Sequence, residues 1–210
     1  MASKQVTVCD HPLIQDKLAR LRDKHTRPED FRDLMGEVGS LMGYEVTRSL
    51  RTRRTQVQTP IKTAAADYVD QPICFVAVLR AGLGMLPGLL HIAPKARIGH
   101  IGLYRNEETL NPVRYYVRLP KDIAECFVVL CDPMLATGGS AVEAINILKT
   151  DGARRIALLT LLSSRAGVKK VHEAHPDAHI FTAAVDSVLN KSGYIVPGLG
   201  DAGDRLFATN

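Results

Sequence analysis

The hydrophobic positions of this chain change period several times, and each change marks a predicted element. Between residues 12 and about 24, Ile14, Leu18 and Leu21 recur on one helical face. Phe31, Leu34, Met35, Val38, Leu41 and Met42 repeat at the same spacing behind Thr26-Arg27-Pro28-Glu29, where Thr and Glu have the offset of a capping box. These two helices precede any strong strand. They predict an N-terminal helical arm, residues 11–50, packed on the domain or on a second copy. Short apolar runs rich in β-branched residues then recur at 73–79, 98–103, 113–119, 127–131, 156–162 and 180–185. Helical patterns fall between several of them, near 85–91, 140–150 and 165–175. Alternation of this kind predicts an α/β fold, a mainly parallel central sheet flanked by helices on both faces.

At 210 residues the chain suits a single domain with a full core, and a composition 46% hydrophobic and 23% charged is that of a globular protein. No apolar run reaches the ~18 residues of a membrane span, and Met1-Ala2-Ser3-Lys4-Gln5 has no apolar signal-peptide region, so neither membrane insertion nor export is expected. The cysteines include no C-x-x-C; Cys74, Cys126 and Cys131 lie inside apolar runs and read as reduced core thiols of a cytoplasmic protein. The formal net charge of +5 suits anionic ligands, whether a phosphate-rich small molecule or a nucleic acid. Arg48, Arg51, Arg53 and Arg54 follow the long helix and read as its solvated end; an effector-phosphate or RNA site is the alternative. His172, His175 and His179 are separated by Pro176 and lack partners to complete a tetrahedral set, so ordinary surface histidines are expected.

The densest chemistry lies in V-V-L-C-D-P-M-L-A-T-G-G-S, residues 128–140. An apolar strand ends at Asp132, and Ala136-Thr137-Gly138-Gly139-Ser140 leads into a helix. Glycines let the backbone approach an anion, the first N–H groups of the helix lack internal partners, and the helix dipole favours negative charge. Thr137 and Ser140 add hydroxyl donors, and Asp132 can meet sugar hydroxyls or a hydrated Mg²⁺ beside the phosphate. A plain tight turn is the alternative.

Three other segments carry candidate chemistry. Arg80-Ala81-Gly82-Leu83-Gly84 follows the strand at 73–79, and a guanidinium beside small residues suits a pyrophosphate. Tyr104-Arg105-Asn106-Glu107-Glu108-Thr109 and Asn111-Pro112 join two β-rich runs, as in a hairpin flap able to bring Arg105 over a leaving group. Tyr194 to Arg205, Y-I-V-P-G-L-G-D-A-G-D-R, alternates rigid and permissive positions, as in a backbone shaped around a small planar ligand.

The strand, acid and A-T-G-G-S stretch resembles the ribose-phosphate signature of phosphoribosyltransferases. In the form D-P-M-L-A-T-G-G-S it is similar to that of the uracil phosphoribosyltransferase family. L-R-A-G resembles that family's pyrophosphate loop, Y-R-N-E-E-T its catalytic flap, and G-Y-I-V-P-G-L-G-D-A-G-D-R its uracil-site signature, so the resemblance runs from His11 to the C-terminus. It implies a phosphoribosyltransferase fold in one domain, 1–210, with the base-binding segment at 186–210. The implied reaction converts uracil and phosphoribosyl pyrophosphate (PRPP) to UMP and diphosphate in pyrimidine salvage. Arg105 and Asp201 become the implied catalytic residues. Arg80, Arg105, Asp132, Pro133, Met134, Leu135, Ala136, Thr137, Gly138, Gly139, Ser140 and Asp201 become the implied PRPP contacts, and Ile195, Gly200, Asp201 and Ala202 the uracil contacts. Mg²⁺ is the implied cofactor, held mainly by PRPP and water. A GTP effector and a homo-oligomer are implied partners, without membrane or nucleic acid. An RNA-binding regulator of pyrimidine genes on the same fold is the alternative.

Two departures from the family pattern stand out. Pro133 replaces the second of two adjacent acids found in most phosphoribosyltransferases, and Asp201 is the candidate to replace that carboxylate. Ser163-Ser164-Arg165-Ala166-Gly167 stands where the family commonly has A-A-P-E-G.

Overall fold

A computed structural model describes residues 6–105 and 112–209, with Arg105 and Pro112 described by their backbone. The elements in chain order are β1 (Val6–Val8), α1 (Pro12–Arg22), α2 (Pro28–Val46), β2 (Thr52–Gln58), β3 (Thr63–Val69), β4 (Ile73–Leu79), α3 (Leu86–Ile92), β5 (Arg97–Arg105), β6 (Pro112–Arg118), β7 (Phe127–Cys131), β8 (Met134–Leu135), α4 (Gly139–Thr150), β9 (Arg155–Ser164), α5 (Arg165–Ala174), β10 (His179–Asp186), β11 (Val188–Leu189), β12 (Ile195–Val196) and α6 (Ala202–Phe207). The main sheet runs β1-β10-β9-β7-β4-β5-β6, with β8 added beside β9. Its pairings are parallel except for the antiparallel β5–β6 hairpin.

Side chains alternate across the central strands and build two cores. Phe75 and Ala77 of β4 and Val129 and Cys131 of β7 face one way, with residues of α1, α2, α3 and α6 packed over them. Cys74 and Val76 of β4 and Val128 and Leu130 of β7 face the other way, under α4 and α5. This is why β7 is buried along its whole length and carries no polar alternation. Each fully buried Leu, Val or Phe contributes roughly 1.5–3 kcal/mol relative to exposure, which fixes the register of the strands that carry the site. The N-terminal arm belongs to the first core, where Ile14, Leu18, Leu21, Phe31, Met35, Val38 and Met42 are all buried. The four cysteines are free and buried. Burial raises their pKa values and keeps the thiols unreactive.

Three expectations need correction. The capping box at Thr26 does not form: Pro28 occupies the first helical position, for which its fixed φ and missing N–H suit it, and Arg27 becomes the N-cap. Thr26 instead donates its hydroxyl to the Arg20 carbonyl at 2.6 Å, closing the turn between α1 and α2. Of the basic run, Arg48 sits in the turn that ends α2, but the later arginines do not belong to a helix end. Arg48 stacks over Tyr44 and pairs with Glu45 at 3.0 Å, whereas Arg53 and Arg54 lie on β2 of a two-stranded β2–β3 ribbon outside the main sheet. That ribbon has no buried face, so no hydrophobic alternation announced it. Nor are the histidines all superficial. His175 is 5% exposed, with Nε2 3.2 Å from the Val142 carbonyl and Nδ1 3.2 Å from Lys149 Nζ. His179 Nε2 lies 2.8 Å from Thr7 Oγ1. Among the described residues no three metal-ligating groups cluster.

Candidate active site

The order of the main sheet reverses beside β4. The chain moves from β4 to β5 and β6 on one side, then returns to place β7 on the other. In open α/β sheets the crevice outside the carboxyl ends of the strands at such a reversal is the ligand site. Arg80 follows β4 there, and Asp132 follows β7. The two loops touch: a Cβ on Gly82 would lie 2.4 Å from the Cys131 carbonyl, so only glycine allows this approach. A cavity of about 210 Å³ opens at this point, lined in part by Leu79, Leu103, Asp132, Thr137, Gly138 and Ser140. A larger cavity of about 650 Å³, lined by Ile73 and Arg97 among others, lies at the opposite ends of the strands, away from these groups.

The segment after β7 is fixed before any ligand arrives. The Asp132 N–H donates to the Leu159 carbonyl at 3.1 Å, and the Pro133 carbonyl accepts from both Leu161 and Leu162 at 2.9 and 3.0 Å. Pro133 is buried, so the position that carries an acid in most phosphoribosyltransferases serves here to dock the loop on β9. Met134 and Leu135 pair with Leu162 and Ser163. Gly138, at φ +81°, is the N-cap of α4, and Ser140 is exposed at the start of that helix. Burial pushes the Asp132 carboxyl up to about 6, opposed only by the Met134 N–H at 3.5 Å.

The Ser163–Gly167 departure has a structural role. Ser164 caps α5 by accepting from the Gly167 N–H at 2.8 Å, and its hydroxyl donates to the Ala136 carbonyl at 2.5 Å. One side chain therefore ties the α5 N-terminus to the anion loop. Ser163 joins Thr160 and Thr182 in a buried hydroxyl cluster with contacts of 2.9 and 3.0 Å.

The C-terminal segment stands on the Arg80 loop. Ile195 is buried in β12, Gly200 has φ +82°, and Asp201 is the N-cap of α6, its Oδ1 accepting from the Asp204 N–H at 2.9 Å. Ala202 is buried in the first turn of α6. A Cβ on Gly203 would lie 3.7 Å from Arg80 Nη2 and 3.9 Å from Ala81 Cβ, so the first turn of α6 packs directly against Arg80. Arg80 Nη2 pairs with Asp204 at 2.8 Å, and its guanidinium lies 5.7 Å from the Phe207 ring centre. Asp204 and Ser164 were not among the site residues expected from sequence. The acid–arginine complement inside D-A-G-D-R hinted at the first, and no local pattern pointed to the second.

β5 and β6 form the expected hairpin, whose last pair is Arg105 with Pro112. Tyr104 and Tyr115 face each other across it with ring centres 6.3 Å apart. The Arg105 side chain and residues 106–111, including Glu107, Glu108 and Thr109, lie outside the described residues. The oxygen donors of the crevice fit a magnesium ion that takes most of its ligands from phosphates and water. Asp132 and Asp201 offer single hard carboxylates rather than a closed cage, and Asp201 already spends one oxygen on its cap.

A family model for uracil phosphoribosyltransferase matches residues 8–209. A uracil phosphoribosyltransferase of Clostridium kluyveri is 55% identical over 206 residues, covering 98% of this chain and 99% of the relative. One from Dictyoglomus turgidum is 53% identical over 205 residues, covering 97% and 99%. A solved protein of Aquifex aeolicus superposes with a TM-score of 0.92 at 37% identity, covering 98% of this chain and 99% of that one. An adenine phosphoribosyltransferase of Trypanosoma brucei shares the fold, with a TM-score of 0.61 at 13% identity and coverage of 95% and 89%. With a family model matching residues 8–209 and relatives 53% and 55% identical over nearly its whole length, the chain belongs to the uracil phosphoribosyltransferase family.

Proposed function

We propose that the protein makes UMP and diphosphate from uracil and PRPP, as a step of pyrimidine salvage. The observation that carries this reading is the packing of α6, which directly follows residues 195–201, on the Arg80 loop, which in turn meets the end of β7 next to Asp132. It supports a reading in which residues 195–202 take the base, Arg80 the pyrophosphate and residues 132–140 the phosphate.

The 132–140 segment holds the 5′-phosphate and ribose of PRPP, with the N–H groups at the start of α4 facing the anion. Arg80 binds the pyrophosphate, and Arg105 is carried to it by the hairpin. The bond from C1′ to the pyrophosphate oxygen breaks as the bond from C1′ to uracil N1 forms, and the N1 proton passes to solvent. Charge grows on the departing pyrophosphate, where the two guanidinium groups stabilise it. Mg²⁺, which Asp132 and Asp201 would approach through phosphates and water, would supply positive charge against the phosphates when bound. Ile195, Gly200, Asp201 and Ala202 hold uracil largely through main-chain groups. Uracil presents acceptors at O2 and O4 and a donor at N3, whereas cytosine reverses the pattern at both N3 and N4. A loop built for one pattern leaves polar groups unpaired with the other, a discrimination of about 10⁴-fold.

The same reading places the protein in the cytoplasm, as a homo-oligomer with GTP as a candidate effector. The exposed β2–β3 ribbon, with Ile61, Tyr68 and Val69 on its surface, offers area to a second copy. Initial rates of UMP formation from uracil and of CMP formation from cytosine, each with or without Mg²⁺ and GTP, test the reading. Absence of UMP with uracil, PRPP and Mg²⁺ overturns it.

A further inference from the structure

We infer that Arg22 and Asp186 are positioning residues for uracil, a bidentate pair that fixes the backbone of the base loop from outside the site. The inference rests on the proposed function for the identity of the base, and on geometry for the rest.

Arg22 ends α1 and Asp186 ends β10. Arg22 Nη1 donates to Asp186 Oδ2 at 2.8 Å and Nη2 donates to Oδ1 at 2.9 Å. The same Nη1 donates to the Gly198 carbonyl at 2.8 Å, and the Gly198 N–H donates to Asp186 Oδ2 at 3.1 Å. Both polar groups of Gly198 are therefore held, one by the cation of the pair and one by the anion. The pair is shielded, with side-chain exposures of 23% for Arg22 and 10% for Asp186. Its hydrogen bonds from Arg22 hold the Asp186 carboxyl below the usual carboxylate range.

Gly198 is not a passive point of attachment. Its φ is +59°, and a Cβ there would fall 2.1 Å from the Ile195 carbonyl, so its backbone folds directly onto a residue of the base site. Leu199, its neighbour, is held from the other side. Arg205 donates to the Leu199 carbonyl at 2.9 Å, to the Asp23 carbonyl at 2.6 Å and to the Leu21 carbonyl, with its guanidinium 4.4 Å from the Phe31 ring centre. Two arginines thus fasten residues 198–199 to the end of α1. A loop that reads a base through main-chain groups needs this, because its specificity is only as good as the placement of its backbone. Neither Arg22 nor Asp186 lines the cavity beside Asp132, so loosening the pair acts on the base and spares PRPP.

Arg22→Lys and Asp186→Asn test the assignment. Lysine keeps the charge but cannot span two carboxylate oxygens and a carbonyl with a planar fork. Both variants are expected to raise the KM for uracil by about tenfold or more, and to narrow the preference for uracil over cytosine. The KM for PRPP and kcat should stay within about twofold. Amide hydrogen exchange, which needs no activity, should show faster exchange at Gly198–Gly200 with α6 and the main sheet unchanged. Wild-type KM for uracil together with wild-type protection of that loop overturns the inference. So does a uniform loss of kcat, both KM values and melting temperature, which would make the pair a general support. If even the wild type makes no UMP, the proposed function fails, and the exchange measurement still decides the role of the pair in shaping the loop.

Discussion

Arg80 Nη2 lies 2.8 Å from Asp204 Oδ1, the oxygen to which Thr209 also donates its hydroxyl at 2.7 Å. Arg80 Nη1 reaches Thr209 Oγ1 at 3.3 Å. On the proposed function, the arginine that meets the pyrophosphate is thereby oriented by α6, the helix that follows the base loop. The pair is half exposed, so its effect is modest. Asp204→Asn should raise the KM for PRPP about two- to fivefold and leave the KM for uracil nearly unchanged. The difference should shrink at high salt. Equal KM values for PRPP in variant and wild type would show that Arg80 needs no help from α6.

Asp132 predicts an unusual dependence on pH. Its carboxyl is pushed up to about 6 in the folded protein, above the ordinary carboxylate range of an unfolded chain. The folded state therefore binds the proton more tightly. Its stability is greatest below that ordinary range and declines as the pH rises through about 6. Asp132→Asn removes the charge, so the substrate-free variant should be more stable than wild type near pH 8, by up to about 3 kcal/mol, with the gap closing near pH 4. The same variant should use PRPP poorly, because the carboxylate that meets the ribose is gone. Thermal scans across this range check the first expectation, and kcat/KM for PRPP checks the second.

Ser164 is 1% exposed and joins two elements through one hydroxyl. Ser164→Ala leaves the Gly167 N–H and the Ala136 carbonyl without that partner, at a cost of roughly 1–3 kcal/mol in denaturant unfolding. Because Ala136 lies in the anion loop, the KM for PRPP should rise more than the KM for uracil. A stability loss with both KM values unchanged would confine Ser164 to capping α5.

Much of this was legible in the sequence, for identifiable reasons. Strands buried on both faces must be continuously apolar, so Ile73–Leu79 and Phe127–Cys131 could be bounded to the residue. The turn from β7 into α4 was legible because strand, acid, glycines and helix start are contiguous. The β2–β3 ribbon was not, because nothing in Thr52–Gln58 or Thr63–Val69 is fully buried and no periodicity results. Short β1, β11 and β12 are too brief to show any pattern. The Arg22–Asp186 pair spans 164 positions, and no local spacing announces a contact made only by the tertiary fold.

The hairpin that carries Arg105 gives a kinetic expectation. If that side chain meets the pyrophosphate mainly in the transition state, Arg105→Ala should lower kcat by about 10²-fold or more while changing the KM for uracil little. Single-turnover rates separate this from a slowed product release. A normal kcat would leave the hairpin a cover without chemistry.

Asp201 remains the candidate to compensate for Pro133, and the structure makes its test clean. Oδ1 caps α6 through the Asp204 N–H at 2.9 Å, and asparagine caps a helix about as well as aspartate, so Asp201→Asn should leave α6 and the Arg80 contact in place. What the substitution removes is negative charge at an exposed position beside the Arg80 loop. Mg²⁺ favours six oxygens and keeps several waters, so a carboxylate can act on it through a water without touching the ion. Pro133 spends its carbonyl on β9 rather than presenting an acid, and the proposed function assigns that influence to Asp201. The variant should therefore show a lower rate and need more Mg²⁺ for half-maximal activity, by about three- to tenfold, with an unchanged melting temperature. Asp204→Asn, whose carboxylate faces Arg80, should raise the PRPP requirement without shifting the Mg²⁺ curve. A slower Asp201→Asn enzyme with wild-type Mg²⁺ dependence would restrict Asp201 to the base and ribose, and the lost second acid would then have no replacement in this loop.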